Sequence, residues 1–71
     1  MPYPSVEESH RRLLLAGWSV GETAVPSRGG WAWAVTLTRG GHRLMKRGAS
    51  REEAWYLAAE ESAALDTPPG A

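Results

Sequence analysis

The stretch "KRGASREEAWYLAAEESAAL", residues 46–65, decides how this chain is read. A basic segment passes through Gly48 to Ser50, and Glu53 follows three residues later. That is the spacing of a capping box, in which the serine hydroxyl accepts from the third helical N–H and the glutamate reaches back. Glu52 and Glu53 in the opening turn also suit the positive end of the helix dipole. An alanine-rich helix is therefore placed at about 51–65, and "DTPPGA" ends it.

Working outward, "HRLMKR" (42–47) reads as a basic strand and "RGG" (39–41) as the tight hairpin turn before it. "WAWAVTLT" (31–38) is the clearest strand. Trp31, Trp33, Val35 and Leu37 fall on one face, assigned to the core. Ala32, Ala34, Thr36 and Thr38 fall on the other, assigned to solvent or a partner. "PSRGG" (26–30) is a turn by composition, and "WSVGETAV" (18–25) a further strand interrupted by Gly21. Towards the amino terminus, "SVEESHRRLLLAG" carries a second capping box, Ser5 with Glu8. Val6, His10, Leu13, Leu14 and Gly17 follow one side of a helix, Gly17 stands at the C-cap, and Trp18 can fold back on the leucines. The expected organisation is a flexible leader (1–4), one domain (5–65) and a flexible tail (66–71). Its fold class is α+β, in the order α-β-β-β-α, with a three-stranded antiparallel sheet packed on two helices. Short connections favour the meander, one face of which is buried.

Seventy-one residues allow a single small core. There is no cysteine, so no disulfide reinforces it. His10, His42 and Asp66 lack the spacing of a ligand cluster, so neither metal nor cofactor is expected. Four tryptophans, at 18, 31, 33 and 55, are the large apolar side chains available to fill that core or to form a contact surface. The apolar run "LLLAGW" is too short to span a membrane and nothing reads as a signal peptide, so a soluble cytoplasmic protein is expected.

The formal net charge is zero, which argues against strong non-specific nucleic-acid binding by the molecule as a whole. The charges are unevenly spread, however. Arg39, His42, Arg43, Lys46, Arg47 and Arg51 fall between 39 and 51 with no acid among them, and Glu52, Glu53, Glu60, Glu61 and Asp66 then follow with no base. A basic end and an acidic helix face are the expectation.

The order of elements resembles the double-stranded-RNA-binding domain, and residues 48–65 resemble it in motif. In that family a glycine-containing turn leads to Ser-Lys-Lys-x-Ala-Lys, then to alanine pairs and a final leucine. The matching residues are Gly48, Ser50, Arg51, Ala54, Ala58, Ala59, Ala63 and Leu65. The resemblance implies phosphate contacts from the start of the second helix, yet of the three basic positions Arg51 keeps its charge, Glu52 reverses it and Trp55 removes it. The turn that enters a minor groove in the family is "PSRGG" here, with Arg28 but no histidine. The segment "GGWAWAVTLTRGGHRLMKRGASREEAW" is also similar to the sheet-plus-helix DNA-binding domains at the amino termini of tyrosine integrases, which read DNA with the sheet face. It is similar as well to HicB antitoxins, in which a Gly-aromatic strand leads into a helix start with Glu-Ala. Short bacterial proteins carrying "VEESH" and "AGWSVG" resemble the first half and imply no activity.

These readings converge on a non-catalytic binding module. The candidate nucleic-acid contacts are Arg28, Arg39, His42, Arg43, Lys46, Arg47 and Arg51, whose cations would make binding weak overall and steeply salt-sensitive. The same charges also suit an edge strand protected against aggregation. The rival is a protein-interaction or homodimerisation module using Trp55 and a free strand edge. Neither His10 nor His42 has a nucleophile or carboxylate partner fixed by spacing, so no catalytic residue is assigned.

Overall fold

The computed structural model describes residues 3–66. Helix α1 (Val6–Leu15) is followed by strands β1 (Ser19–Ser27), β2 (Gly30–Arg39) and β3 (His42–Gly48), and by helix α2 (Arg51–Asp66). The strands form one antiparallel meander in the order β1-β2-β3. The α+β class and the α-β-β-β-α order expected from the sequence are those observed.

Each boundary has a local cause. Ser5 caps α1 by accepting from the Glu8 N–H at 3.2 Å. The helix stops at Gly17, whose φ of +88° only glycine adopts without strain. There the Gly17 N–H bonds to the Leu14 carbonyl and the Trp18 N–H to the Leu13 carbonyl, which is the Schellman arrangement and turns Trp18 back onto the helix. Both hairpins have two-residue turns, at Arg28–Gly29 and at Gly40–Gly41. Pro26 has no N–H to donate and is tolerated because β1 is an edge strand. At α2 the Ser50 hydroxyl accepts from the Glu53 N–H at 3.1 Å, while the Glu53 carboxylate reaches back to the Ala49 N–H at 2.7 Å. The capping box of α2 thus closes one residue earlier than the motif specifies.

Both helices cover the face of the sheet that carries Val35 and Leu37. The core joins these two residues to Leu13 and Trp18 and to Ala54, Trp55, Ala58 and Ala59 of α2, with Val6, Ala16, Val20, Trp33 and Leu44 partly buried around it. Alanine on the inner side of α2 lets that helix lie very close to the sheet. At Gly48 the backbone of α2 is so near that a Cβ would stand 2.5 Å from the Ala54 nitrogen.

The structure corrects three expectations. On α1 the inward row uses Ser9 and Leu13 rather than Leu14, which is 56% exposed because it lies a further 100° round the helix. Trp31 is 68% exposed and is not core. The reason is register: β3 pairs with β2 only as far as Trp33↔Gly48, so residues 30–32 pair with β1 alone and run past the start of α2. The limits of the domain also shift. Asp66, assigned to the tail, lies inside α2, and Tyr3, assigned to the leader, donates to the Glu53 carboxylate at 2.9 Å and packs its ring on Tyr56. The rest of the expected leader and tail, residues 1–2 and 67–71, falls outside the described residues.

Candidate nucleic-acid interface

Side chains alternate across a strand, so the pairing registers separate two faces. Val20, Leu37 and Leu44 stand in one row towards the helices, as do Glu22, Val35 and Lys46 in the next. The opposite face has the rows Ser19–Thr38–Arg43, Gly21–Thr36–Met45 and Thr23–Ala34–Arg47, followed by Val25–Ala32. That open face is lined with small side chains; Met45 on it is half exposed, whereas Ala34, assigned to solvent or a partner, is only 1% exposed on the central strand between Thr23 and Arg47.

The candidate basic residues do not form one end of the molecule. Residues 39–51 run the length of β3, placing Arg39 and His42 near one end of the sheet and Arg47 and Arg51 near the other. Three of the seven are also committed elsewhere. Arg39 makes a two-pronged bond to Asp66 at 2.6 and 3.0 Å, donates to the Ala16 carbonyl at 2.9 Å, and lies over the Trp18 ring at 4.3 Å. Its guanidinium holds the Asp66 carboxyl below the usual carboxylate range. Lys46 faces the helices and pairs with Glu61 at 3.7 Å. Arg51 gives Nε and Nη2 to the Glu22 carboxylate at 2.8 and 3.2 Å and rests near the Trp33 ring.

Glu22 receives a third donor, the indole Nε1 of Trp55, at 2.7 Å. Bonding from Arg51, against the cost of partial burial and with help from Trp55, lowers the Glu22 pKa from its ordinary value. Trp55 itself is only 6% exposed, on the inner side of α2, with the His10 ring 5.1 Å from its own. The protein-contact role assigned to Trp55 is therefore corrected: it is a core residue whose polar atom is satisfied by Glu22.

His42, Arg28, Arg43 and Arg47 remain: His42 is exposed at the start of β3, and the three arginines have no ion-pair partner among the described residues. Arg43 and Arg47 are on the open face, four residues apart on one strand and hence about 13 Å from each other. Arg28 is at the tip of the β1–β2 hairpin. All eight carboxylates lie in the helices or, like Glu22, on the face beneath them. Five of the eight bases, Arg11, Arg12, Arg39, Lys46 and Arg51, accompany them, and the other three do not. A chain of zero net charge is thus folded into a helix layer of charge −3 and an open face and tip of charge +3.

Sequence reasoning placed Arg43 and Arg47 among the candidates but missed Met45 and Trp31 as exposed side chains and Glu22 as the group that occupies Arg51. One signal for Trp31 was present: "HRLMKR" is shorter than "WAWAVTLT", so the first residues of the longer strand had to lack a third-strand neighbour. Comparison of the chain with protein-family models, curated proteins and solved structures gave no match. Among the described residues no helix is long and apolar enough to cross a membrane, and no group of three His, Cys, Asp or Glu is placed to hold a metal ion.

Proposed function

We propose that the protein is a non-catalytic module that binds nucleic acid weakly through the open face of its sheet. The observation that carries this reading is the segregation of charge. The face away from the helices presents Arg43 and Arg47, with Arg28 beyond, and no carboxylate. Small side chains at Gly21, Ala32 and Thr36 let a sugar-phosphate backbone lie close to the strands. Phosphate contacts of this kind give affinity without base-sequence readout. The double-stranded-RNA-binding resemblance supports the scaffold but not that family's mode of contact, since Arg51 is engaged by Glu22 and Glu52 and Trp55 replace its other two basic positions.

The test is an NMR titration with duplex RNA, duplex DNA and a single strand at low salt. Shifts should appear at Gly21, Thr36, Arg43, Met45 and Arg47, and should be absent from α2. If no form shifts any resonance, or the shifts map to the helices, the reading fails. One observation favours a second reading, a protein or homodimer contact: Met45 and Trp31 are both exposed, and both types are enriched at interfaces. That reading requires a mass that rises with concentration in light scattering.

A further inference from the structure

The β1–β2 hairpin extends past the rest of the fold as a two-stranded ribbon. Beyond the last β3 pair at Trp33↔Gly48, the pairs Val25↔Ala32, Pro26↔Trp31 and Ser27↔Gly30 have no third strand beside them. Three such pairs project about 10 Å. The ribbon carries Arg28 at its turn and Trp31 on the same side as the helices but beyond their cover, with the indole 68% exposed. Gly29 and Gly30 between them stand in open space, with nothing beyond their chain neighbours within 4 Å of where either Cβ would stand. No carboxylate occurs anywhere from Thr23 to Arg51.

We infer that this ribbon is a base-stacking finger, so that the ligand is single-stranded nucleic acid flexible enough to cross the open face and turn over the ribbon's tip: Arg28 holds a phosphate at the turn and Trp31, on the helix side of the ribbon, stacks on a neighbouring unpaired base. The inference rests on the nucleic-acid reading above and narrows its ligand. Trp31 is suited to the task by elimination among the aromatic rings. Trp18 and Trp55 are buried, Trp33 is half-buried beside the Arg51 guanidinium, and Tyr3 and Tyr56 pack against each other as a tilted pair, with the Tyr3 hydroxyl bonded to the Glu53 carboxylate. The open face itself carries no aromatic ring, so a strand crossing it finds a stacking partner only on turning over the ribbon to its helix side. A duplex is disfavoured on energetic grounds. Inserting a ring between paired bases requires unstacking them, and three unengaged arginines offer little to offset that cost. An unpaired base offers its π-face freely, in any sequence.

The experiment measures fluorescence anisotropy of a labelled 12-nucleotide thymidine strand and of a 12-base-pair duplex at 50 mM salt. It uses the full chain, Trp31→Ala, Trp31→Phe and the double variant Arg43→Glu/Arg47→Glu. The single strand should bind more tightly than the duplex. Trp31→Ala should weaken the strand roughly 5- to 150-fold, the range for loss of one stacked base, and leave the duplex unchanged. Trp31→Phe should retain most of the affinity. Because the indole is exposed, both variants should melt with the wild type. Equal binding of strand and duplex, or no effect of Trp31→Ala on the strand, overturns the finger and leaves the open-face reading standing, provided the arginine double variant still abolishes binding. Absence of binding to either probe removes both readings. A lowered oligomer mass in Trp31→Ala with unchanged strand affinity assigns the indole to a protein contact and overturns the finger as well.

Discussion

Replacing Gly48 with alanine should be the most damaging single-methyl change in this protein. The glycine does not owe its place to an unusual φ, since among the described residues only Gly17, Gly30 and Gly40 have positive values. It is required because α2 sits directly on it. A Cβ there would lie 2.5 Å from the Ala54 nitrogen and 3.0 Å from both the Ala54 Cα and the Glu53 Cβ. Two of those three atoms are helix backbone, which cannot rotate aside, so the first turn of α2 must lift from the sheet. Overpacking of this kind costs about 1–3 kcal/mol, and the rigid neighbour places Gly48→Ala near the top of that range. A 71-residue domain is expected to have only about 4–11 kcal/mol in total. At roughly 4–8 °C per kcal/mol, the melting temperature should fall by about 10–20 °C. Gly21→Ala is the matched control. It has nothing within 4 Å of its Cβ position and ordinary backbone angles, so the substitution should stabilise by about 0.4–1 kcal/mol through the unfolded chain. Thermal melts by circular dichroism decide between them. A Gly48→Ala protein melting within 2 °C of the wild type would refute the close seating of α2.

Other outcomes follow from the same packing and charges. Leu37→Ala, at a fully buried core position, should lower stability by about 2–5 kcal/mol, read from the urea midpoint. The Glu22 carboxyl titrates below its ordinary value of 4.5 when folded, so its stabilisation is complete above that pH and is lost as pH falls through the lower folded value. Glu22→Gln should therefore be less stable than the wild type at pH 7, and the gap in urea midpoint should narrow on acidification; a gap that does not change with pH would contradict the charged Arg51–Glu22 contact. Raising salt from 50 to 200 mM should weaken nucleic-acid binding roughly 20- to 40-fold if all three unengaged arginines contact phosphate, and a flat salt response would exclude them.

The architecture was readable because its signals are local. Two Ser/Glu boxes, the glycine at 17, the alternation of 31–38 and the short turns each fix one element, and short connections leave the meander as the natural pairing. The site was less readable because it depends on register and on charge pairing between distant segments. Nothing near Glu22 in the sequence announces that Arg51, twenty-nine residues on, will close on it. Trp55 looked like an outward anchor because its position is charged in the family it resembles. Its ring turns inward instead because the indole N–H finds a carboxylate across the sheet. Trp31 belongs by alternation to the covered face. It is bare because the cover stops two residues short, a matter of relative element length rather than of pattern.

Placing opposite charges on the two sides of one small body makes it dipolar. When little salt is present, the arginine side of one molecule can rest on the acidic helices of the next. Such a contact is head-to-tail and has no rotation that closes it, so it propagates as chains rather than ending in pairs. Concentrated solutions should turn viscous or cloudy in dilute buffer and clear when sodium chloride is added, the reverse of salting-out.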